Sequence, residues 1–89
     1  MKAVQFESLG KPTEVLKVVD IAIPEPAPGE IRIKVSKANI VPADIMFIQG
    51  MYGIRPQIPQ VAGFEGTGAI DACGEGVDMP IGSGVIFTA

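Results

Sequence analysis

Apolar and polar residues alternate along several short stretches of this chain. The clearest is Glu30–Lys37, where Ile31, Ile33 and Val35 alternate with charged or hydroxyl side chains. A period of two predicts a β-strand with one face toward a core and the other toward water. Weaker patterns of the same kind predict strands over residues 2–8, 15–23, 61–72 and 84–88. The predicted fold class is therefore mainly β.

The period changes after Asn39, and Pro42–Gln49 is predicted to form the one short helix of the chain. Proline suits the first helical position, Asp44 favours the positive N-terminal end, and Gly50 can end the helix. The remaining segments are predicted to be a turn at Gly10–Thr13, a semi-extended connector at Pro24–Gly29, a loop at Met51–Gln60 and a turn at Gly74–Asp78.

The composition agrees with a small β-rich domain. The chain has 89 residues, of which 47% are hydrophobic and 19% charged, so a disordered polar chain is excluded. The 11 glycines and 8 prolines lie mainly between the apolar segments, as expected for many turns. We expect a single domain.

Charge and rare residues exclude several classes of function. Seven basic and ten acidic residues give a net charge of −3, which disfavours nucleic-acid binding. There is no histidine and one cysteine, Cys73, so Ser-His-Asp catalysis, a histidine-ligated metal and an internal disulfide are excluded. Glu7 interrupts the first apolar run, and no run approaches the roughly 18 residues of a membrane span. We therefore expect a cytoplasmic protein without membrane attachment.

The last predicted strand runs to the end of the chain, with Val85, Ile86 and Phe87 close to it. Since a domain end is usually more polar, we expect the chain to be the front piece of a longer protein.

Gly63-Phe64-Glu65-Gly66-Thr67-Gly68 invites a nucleotide-binding interpretation. A dinucleotide fingerprint requires G-x-G-x-x-G between a strand and a helix, whereas this segment has G-x-x-G-x-G and continues as a strand. We favour a structural interpretation, in which the glycines permit a bulge or a close backbone approach.

Several segments in order resemble the medium-chain dehydrogenase/reductase superfamily. They are Met1-Lys2-Ala3-Val4, Gly29–Val35 after the proline-rich connector, Val41-Pro42-Ala43-Asp44, Gln49-Gly50-Met51-Tyr52, Gly63–Gly68, Gly74-Glu75-Gly76-Val77 and Val85-Ile86. The nearest branches are the quinone oxidoreductases and the 2-enoyl thioester reductases. The resemblance implies that residues 1–89 form the first part of a GroES-like, partly open β-barrel catalytic domain. A Rossmann domain that binds NADP or NAD, and the rest of the catalytic domain, would lie outside this chain.

The resemblance also implies zinc independence. The zinc-dependent branch has a cysteine at the position of Val41 and a histidine at the position of Phe64, and neither residue found here can ligate a metal. The quinone and enoyl reductases usually have an asparagine directly before Pro42. Here that position is Val41, and Asn39 is a candidate to take over its contact with substrate or nicotinamide.

Tyr52 is the candidate catalytic residue, because the enoyl thioester reductases place a tyrosine two positions after the glycine that ends the helix. Its hydroxyl would donate to the carbonyl oxygen as negative charge develops there. The alternative is a loop tyrosine with a packed ring. The residues expected near the substrate or cofactor are Asn39, Val41, Pro42, Asp44, Phe64 and Glu65. For Asp44 we favour a first-turn acid that stabilises the helix over a residue that supports the substrate pocket from beneath. For Glu65 we favour a structural, hydrogen-bonded residue of the barrel over a carboxylate close to the active site.

Other candidate residues have simpler interpretations. Met46, Phe47 and Met51 either line an acyl pocket or pack in the core, and we favour the core. Cys73 is interpreted as a small core residue.

The resemblance implies an NAD(P)H-dependent oxidoreductase that reduces a quinone, an enone or an enoyl thioester without catalytic zinc. A small molecule is the only partner it implies, and it leaves a homodimer open. Two alternatives remain: an alcohol dehydrogenase relative that lost its catalytic zinc, and a non-catalytic GroES-like module. A co-chaperonin needs a long mobile loop, and the two prolines in Gly53–Gln60 favour a stiffer one.

Overall fold

The computed structural model describes residues 1–88, which contain six strands and two helices. Their bounds are β1 Lys2–Phe6, α1 Pro12–Val15, β2 Lys17–Asp20, β3 Ile31–Ala38, α2 Pro42–Gln49, β4 Gln60–Val61, β5 Glu65–Cys73 and β6 Gly84–Thr88. The strands form two antiparallel three-stranded sheets, ordered β2-β1-β4 and β3-β5-β6. The predicted mainly β class is confirmed. Neither helix in this part of the chain has the length and apolar character needed to cross a bilayer.

The chain divides into two compact units, and each combines two segments that are distant in sequence. The first unit joins Met1–Ala22 to Ile40–Gly63 and holds the β2-β1-β4 sheet with both helices. The second joins Ile23–Asn39 to the residues from Phe64 onward and holds the β3-β5-β6 sheet. Phe6, Phe47 and Ile48 are the buried apolar residues of the first unit, and Ile70 is that of the second.

The segment before β2 differs from its prediction. We predicted a turn at Gly10–Thr13 and a strand over residues 15–23, but Pro12–Val15 is a helix and β2 covers only Lys17–Asp20. The backbone N–H groups of Glu14 and Val15 both donate to the Lys11 carbonyl, at 2.9 and 3.1 Å. Pro12 stands at the start of this turn, where its fixed φ favours helix. The prediction of a single helix was therefore wrong.

The predicted strand over residues 61–72 is divided between the two sheets. Gln60–Val61 pairs with β1, whereas Glu65–Cys73 is the central strand of the other sheet. The chain changes sheets at Ala62–Phe64, and Gly63 has a φ of +108°, which side-chain-bearing residues rarely adopt. The alternation of apolar residues cannot reveal such a break, because the segments before and after it both have the composition of a strand.

In the second unit, Arg32 ties the proline-rich connector to the sheet. Its Nε donates to Asp71 Oδ1 at 2.8 Å, and its Nη1 donates to the Pro24 carbonyl at 3.3 Å and to Glu25 Oε1 at 3.4 Å. The hydrogen bond to Asp71 is the main cause that raises the pKa of Arg32 above its usual value, against a smaller opposing effect of burial. The predicted water-facing side of β3 thus contains an ion-pair network in which Arg32 is half-buried and its two carboxylate partners are exposed. Val35, predicted to face a core, is 51% exposed.

Candidate functional site

The N-terminus of α2 holds three of the predicted site residues. Val41 is the N-cap in an extended conformation, and Pro42 follows at the first turn. The Val41 N–H donates to Asp44 Oδ2 at 2.8 Å, so the aspartate caps the helix from inside its first turn. Val41 itself has no side-chain acceptor to return the bond. The other Asp44 oxygen, Oδ1, is buried and has no hydrogen-bond partner within residues 1–88.

The C-terminus of α2 determines the direction in which the chain leaves toward Tyr52. Gly50 has a left-handed conformation with φ of 77°, and its N–H donates to the Phe47 carbonyl at 3.1 Å. The Met51 N–H donates to the Met46 carbonyl at 2.8 Å. These two bonds form a Schellman motif, which requires a left-handed residue at the position of Gly50. Tyr52 follows directly in the loop and is 39% exposed.

The three apolar candidates in and after α2 differ in burial. Phe47 is buried, as favoured from the sequence, whereas Met46 and Met51 are 42% and 72% exposed, so the core interpretation was wrong for both methionines. Cys73 is half-buried rather than a core residue, and its Sγ donates to the Met79 carbonyl at 3.5 Å.

Asn39 and Glu65 are brought together in the second unit. Asn39 directly follows β3 and Glu65 begins β5, the strand that pairs with it. Asn39 Nδ2 donates to Glu65 Oε1 at 3.1 Å. Phe64 precedes β5 and is half-buried. The predicted site residues therefore occur as two groups: Val41, Pro42, Asp44 and Tyr52 in the first unit, and Asn39, Phe64 and Glu65 in the second.

A shallow pocket of about 220 Å³ lies beside the Asn39–Glu65 pair. Its remaining lining residues are Lys37, Gly66, Thr67 and Ile86. Sequence analysis missed Lys37, Thr67 and Ile86, because their proximity depends on strand pairing across three strands. The pocket combines a cation, a carboxylate, an amide and a hydroxyl with one apolar side chain.

Gly66 and Gly68 of the Gly63–Gly68 segment are needed for close packing in the sheet. A Cβ at Gly66 would lie 2.7 Å from the Lys37 carbonyl oxygen and 2.9 Å from the Phe87 ring. A Cβ at Gly68 would overlap the Lys34 carbonyl oxygen. These glycines thus permit the neighbouring backbone to approach, and the structural interpretation of the motif is confirmed. They do not form a pyrophosphate cradle, which needs a strand leading into a helix N-terminus.

The described part of the chain contains no set of side chains that could ligate a metal ion. Within residues 1–88, no three His, Cys, Asp or Glu side chains converge on one point. The side chains of Val41 and Phe64 are hydrocarbons, which offer no lone pair to an ion.

Comparison with known proteins gives one family and several relatives. Residues 27–89 match the family model described as the alcohol dehydrogenase GroES-like domain. The chain is 40% identical over 72 residues to the mitochondrial enoyl-[acyl-carrier-protein] reductase of Xenopus tropicalis, which is 81% of this chain and 21% of that protein. It is 34% identical over 77 residues to an alcohol dehydrogenase of Moraxella sp., which is 86% of this chain and 22% of that protein.

A solved structure has a similar fold along almost the whole chain. The quinone oxidoreductase of Escherichia coli, crystallised with NADPH, superimposes with a TM-score of 0.89 at 28% identity, covering 99% of this chain and 27% of that one. The chain thus spans about a fifth of the length of the curated relatives it matches.

Proposed function

The chain belongs to the alcohol dehydrogenase GroES-like domain family, and we propose that it is the N-terminal part of an NAD(P)H-dependent reductase of activated double bonds or quinones. The observation that carries this proposal is the 40% identity to an enoyl-[acyl-carrier-protein] reductase. The similarity in fold to a quinone oxidoreductase supports the same class of reaction. The substrate is proposed to be a small molecule with a carbonyl group conjugated to the bond that is reduced.

Tyr52 is the proposed proton donor. When a double bond conjugated to a carbonyl is reduced, negative charge develops on the carbonyl oxygen, and a phenol hydroxyl can donate a hydrogen bond there. The Schellman motif at Gly50 supports this role. It fixes the direction in which the backbone leaves α2, and Tyr52 lies only two residues further along the chain. The partial exposure of Tyr52 is compatible with a hydroxyl that contacts a substrate.

The nicotinamide cofactor is proposed to be held by residues outside this chain. The space beside Gly66 and Gly68 is occupied by neighbouring strands, so these two residues do not fit a pyrophosphate. The choice between NADP and NAD depends on the cofactor-binding residues, and comparing NADPH with NADH as the reductant determines it.

Zinc independence is a second part of the proposal. Val41 and Phe64 stand where the zinc-dependent branch has its ligands, and their side chains cannot coordinate a metal. Activity of the intact enzyme should survive dialysis against a strong chelator. Loss of activity that is restored by zinc would contradict this part.

The experiment that tests the proposed reaction is a substrate panel with the intact protein. Oxidation of NADPH and NADH is followed with enoyl thioesters, enones and quinones, and reduction of NAD⁺ and NADP⁺ with alcohols. The proposal expects turnover in the reductive direction on at least one conjugated carbonyl or quinone.

A second candidate function is that of an alcohol dehydrogenase relative, which the similarity to the Moraxella alcohol dehydrogenase favours. Turnover confined to alcohols would select it. Absence of turnover on the whole panel would select the non-catalytic module instead.

The cytoplasmic location and the homodimer stay predictions. Cell fractionation tests the cytoplasmic location. Recovery in the mitochondrial fraction would contradict it, and this outcome is worth testing since several similar enoyl reductases are named mitochondrial. Light scattering of the intact protein tests the second.

A further inference from the structure

The last turn of α2 is held in part by a segment that is distant in the sequence. The last four carbonyl groups of an α-helix have no donor within the helix itself. In α2, the Met46 and Phe47 carbonyls accept from the Schellman motif that follows the helix. The Ile48 carbonyl accepts from the backbone N–H of Gly10, at 3.1 Å. The segment between β1 and α1 therefore supplies a hydrogen bond that α2 cannot make locally.

Leu9 lies directly over the residue that ends α2. A Cβ built on Gly50 would be 2.6 Å from Leu9 Cδ1, 3.5 Å from Leu9 Cγ and 3.7 Å from Leu9 Cβ. The whole side chain of Leu9, and not only its tip, thus covers the Gly50 backbone. Leu9 is 43% exposed, so more than half of its surface is covered. The absence of a side chain at Gly50 is therefore required both by its left-handed φ of 77° and by this contact.

The end of β1 adds a third contact to the same part of the helix. Phe6 is the last residue of β1 and packs its ring against that of Phe47. Both residues are buried, so this contact cannot be lost without exposing apolar surface. Residues 6–10 thus hold the second half of α2 through a ring contact, a hydrogen bond and the cover over Gly50.

The orientation of this helix end bears on Tyr52, which lies two residues after Gly50. A proton donor acts only when its hydroxyl is within hydrogen-bond reach of the reacting group. Misplacement by about 1 Å can reduce a rate about 100-fold, even when its cause lies away from the chemistry. Contacts that hold the last turn of α2 therefore matter for the proposed reaction as well as for the fold.

We infer that Leu9 is a positioning residue for Tyr52: by covering Gly50 it holds the direction of the chain after α2, and thereby the place of the tyrosine hydroxyl. This role rests on the proposed function of Tyr52 as proton donor. Leu9 lies outside the motifs found in the sequence, because its contact with Gly50 depends on tertiary packing between distant segments. A residue that only stabilised the fold would affect catalysis equally with and without the tyrosine hydroxyl.

The test is a double-mutant cycle in the intact enzyme, with an enoyl thioester as substrate. Leu9→Ala should lower kcat about tenfold and change KM much less, because the misplaced hydroxyl acts in the transition state. In the Tyr52→Phe background, Leu9→Ala should change kcat by less than about twofold, since the hydroxyl is already absent. Where Leu9→Ala does not keep the fold, Leu9→Val, which shortens the side chain by less, takes its place.

Two further variants serve as controls. Val4→Ala truncates an apolar side chain with the same exposed fraction of 43%, on a residue that pairs with Val18 and is not among the groups nearest to Gly50. It should leave kcat within about twofold of the wild type. Leu9→Met keeps an apolar side chain of similar volume over Gly50 and should retain kcat within about threefold.

Fluorescence tests the same contact without catalysis. Tyr52 is the only tyrosine of the 89-residue chain, which contains no tryptophan, so its tyrosine emission comes from this residue alone. Leu9→Ala should lower the fluorescence anisotropy of Tyr52 below the wild-type value, because the loop gains freedom, whereas Val4→Ala should not. Unchanged far-ultraviolet circular dichroism shows that each variant keeps the fold.

The possible outcomes separate this inference from the proposed function. If Tyr52→Phe lowers kcat strongly and Leu9→Ala does not, the positioning role of Leu9 is overturned and the proton donor stands. The positioning role is also overturned if Leu9→Ala is equally damaging in the Tyr52→Phe background, or if its anisotropy equals that of Val4→Ala. An unchanged kcat of Tyr52→Phe would overturn the proposed proton donor and the role of Leu9 together.

Discussion

The rings of Phe6 and Phe47 meet edge to face, with centroids 6.0 Å apart and planes at 89° to each other. This contact joins the end of β1 to the middle of α2, and both rings are buried. Because α2 carries Asp44 at one end and Gly50 at the other, the aromatic pair fixes the helix whose ends hold the candidate residues of the first unit.

Phe47→Ala should lower the free energy of unfolding by about 3–5 kcal/mol, since it leaves a cavity and removes the ring contact with Phe6. Met46→Ala, at the adjacent and 42% exposed position, is the control and should cost less than about 1 kcal/mol. Urea denaturation followed by circular dichroism measures both. Where Phe47→Ala leaves no folded protein, Phe47→Leu replaces it, and equal effects of Phe47→Leu and Met46→Ala would contradict the assignment of the core.

Gly50→Ala should destabilise the protein by roughly 1–2 kcal/mol, the cost of a left-handed conformation for an L-residue. The new methyl group would also lie 2.6 Å from Leu9 Cδ1, although that side-chain end can move. Gly53→Ala is the matched control in the same loop, because Gly53 has open space around it and no positive φ. Thermal unfolding of the two variants gives the comparison, and a Gly50→Ala variant as stable as Gly53→Ala would be evidence against the Schellman motif.

Gly68→Ala should be more damaging than Gly84→Ala, although both glycines lie in the same sheet. A methyl group at Gly68 would overlap the Lys34 carbonyl oxygen and approach Ile33 Cγ2 to 2.8 Å. Such overpacking costs about 1–3 kcal/mol or more. Around Gly84 there is open space, so its variant should be neutral within about 0.5 kcal/mol or slightly stabilising. Chemical denaturation distinguishes the two, and a tolerated Gly68→Ala would mean that β3 and β5 are farther apart than described.

Tyr52→Phe in the intact enzyme should reduce kcat on enoyl thioesters about 10²–10³-fold, since it removes a hydrogen-bond donor to the developing negative charge. The loss should fall on kcat more than on KM, because the bond strengthens as the charge develops. Quinones have less need of a proton donor, so their turnover should change less.

Tyr52→Ala provides the structural comparison for the same position. If the ring serves only for packing, Tyr52→Phe leaves kcat within about threefold, whereas Tyr52→Ala lowers stability. An unchanged kcat of Tyr52→Phe on every substrate would remove Tyr52 from the mechanism.

The 89-residue chain should not bind NADPH in the micromolar range, because Gly66 and Gly68 are packed against strand backbone. Isothermal titration calorimetry measures this directly. Saturable micromolar binding would mean that this chain holds a pyrophosphate site after all.

The elements with local signals could be predicted from the sequence. Helix α2 has the predicted bounds Pro42–Gln49, and strand β6 covers the predicted residues 84–88. Helix α2 begins at Pro42 and is followed by Gly50, and strand β6 begins at Gly84. Residues with strong conformational preferences therefore mark these boundaries.

The features that depend on pairing could not be predicted. The alternation in β3 gave the strand correctly, but the extra residue at Ser36 reverses the faces after it, and no single-strand pattern reveals that reversal. The pocket could not be predicted for the same reason. Lys37, Thr67 and Ile86 become neighbours only through the register of three strands. Asn39 and Glu65 were predicted as separate candidates, and their hydrogen bond across the sheet emerged from the structure alone.

The interleaving of the two units constrains the order in which they can form during synthesis on the ribosome. Strand β3 is synthesised before its partner β5. Ile40–Gly63, which belongs to the other unit, is synthesised between these two strands. Likewise β1 cannot pair with β4 until residue 61 has been synthesised, since Gln5 pairs with Val61. Neither unit can therefore be completed from one continuous stretch of nascent chain, and contacts that close such long loops form slowly. A ribosome stalled before residue 60 would carry an incomplete form of both units, with the edges of β1 and β3 open to chaperones.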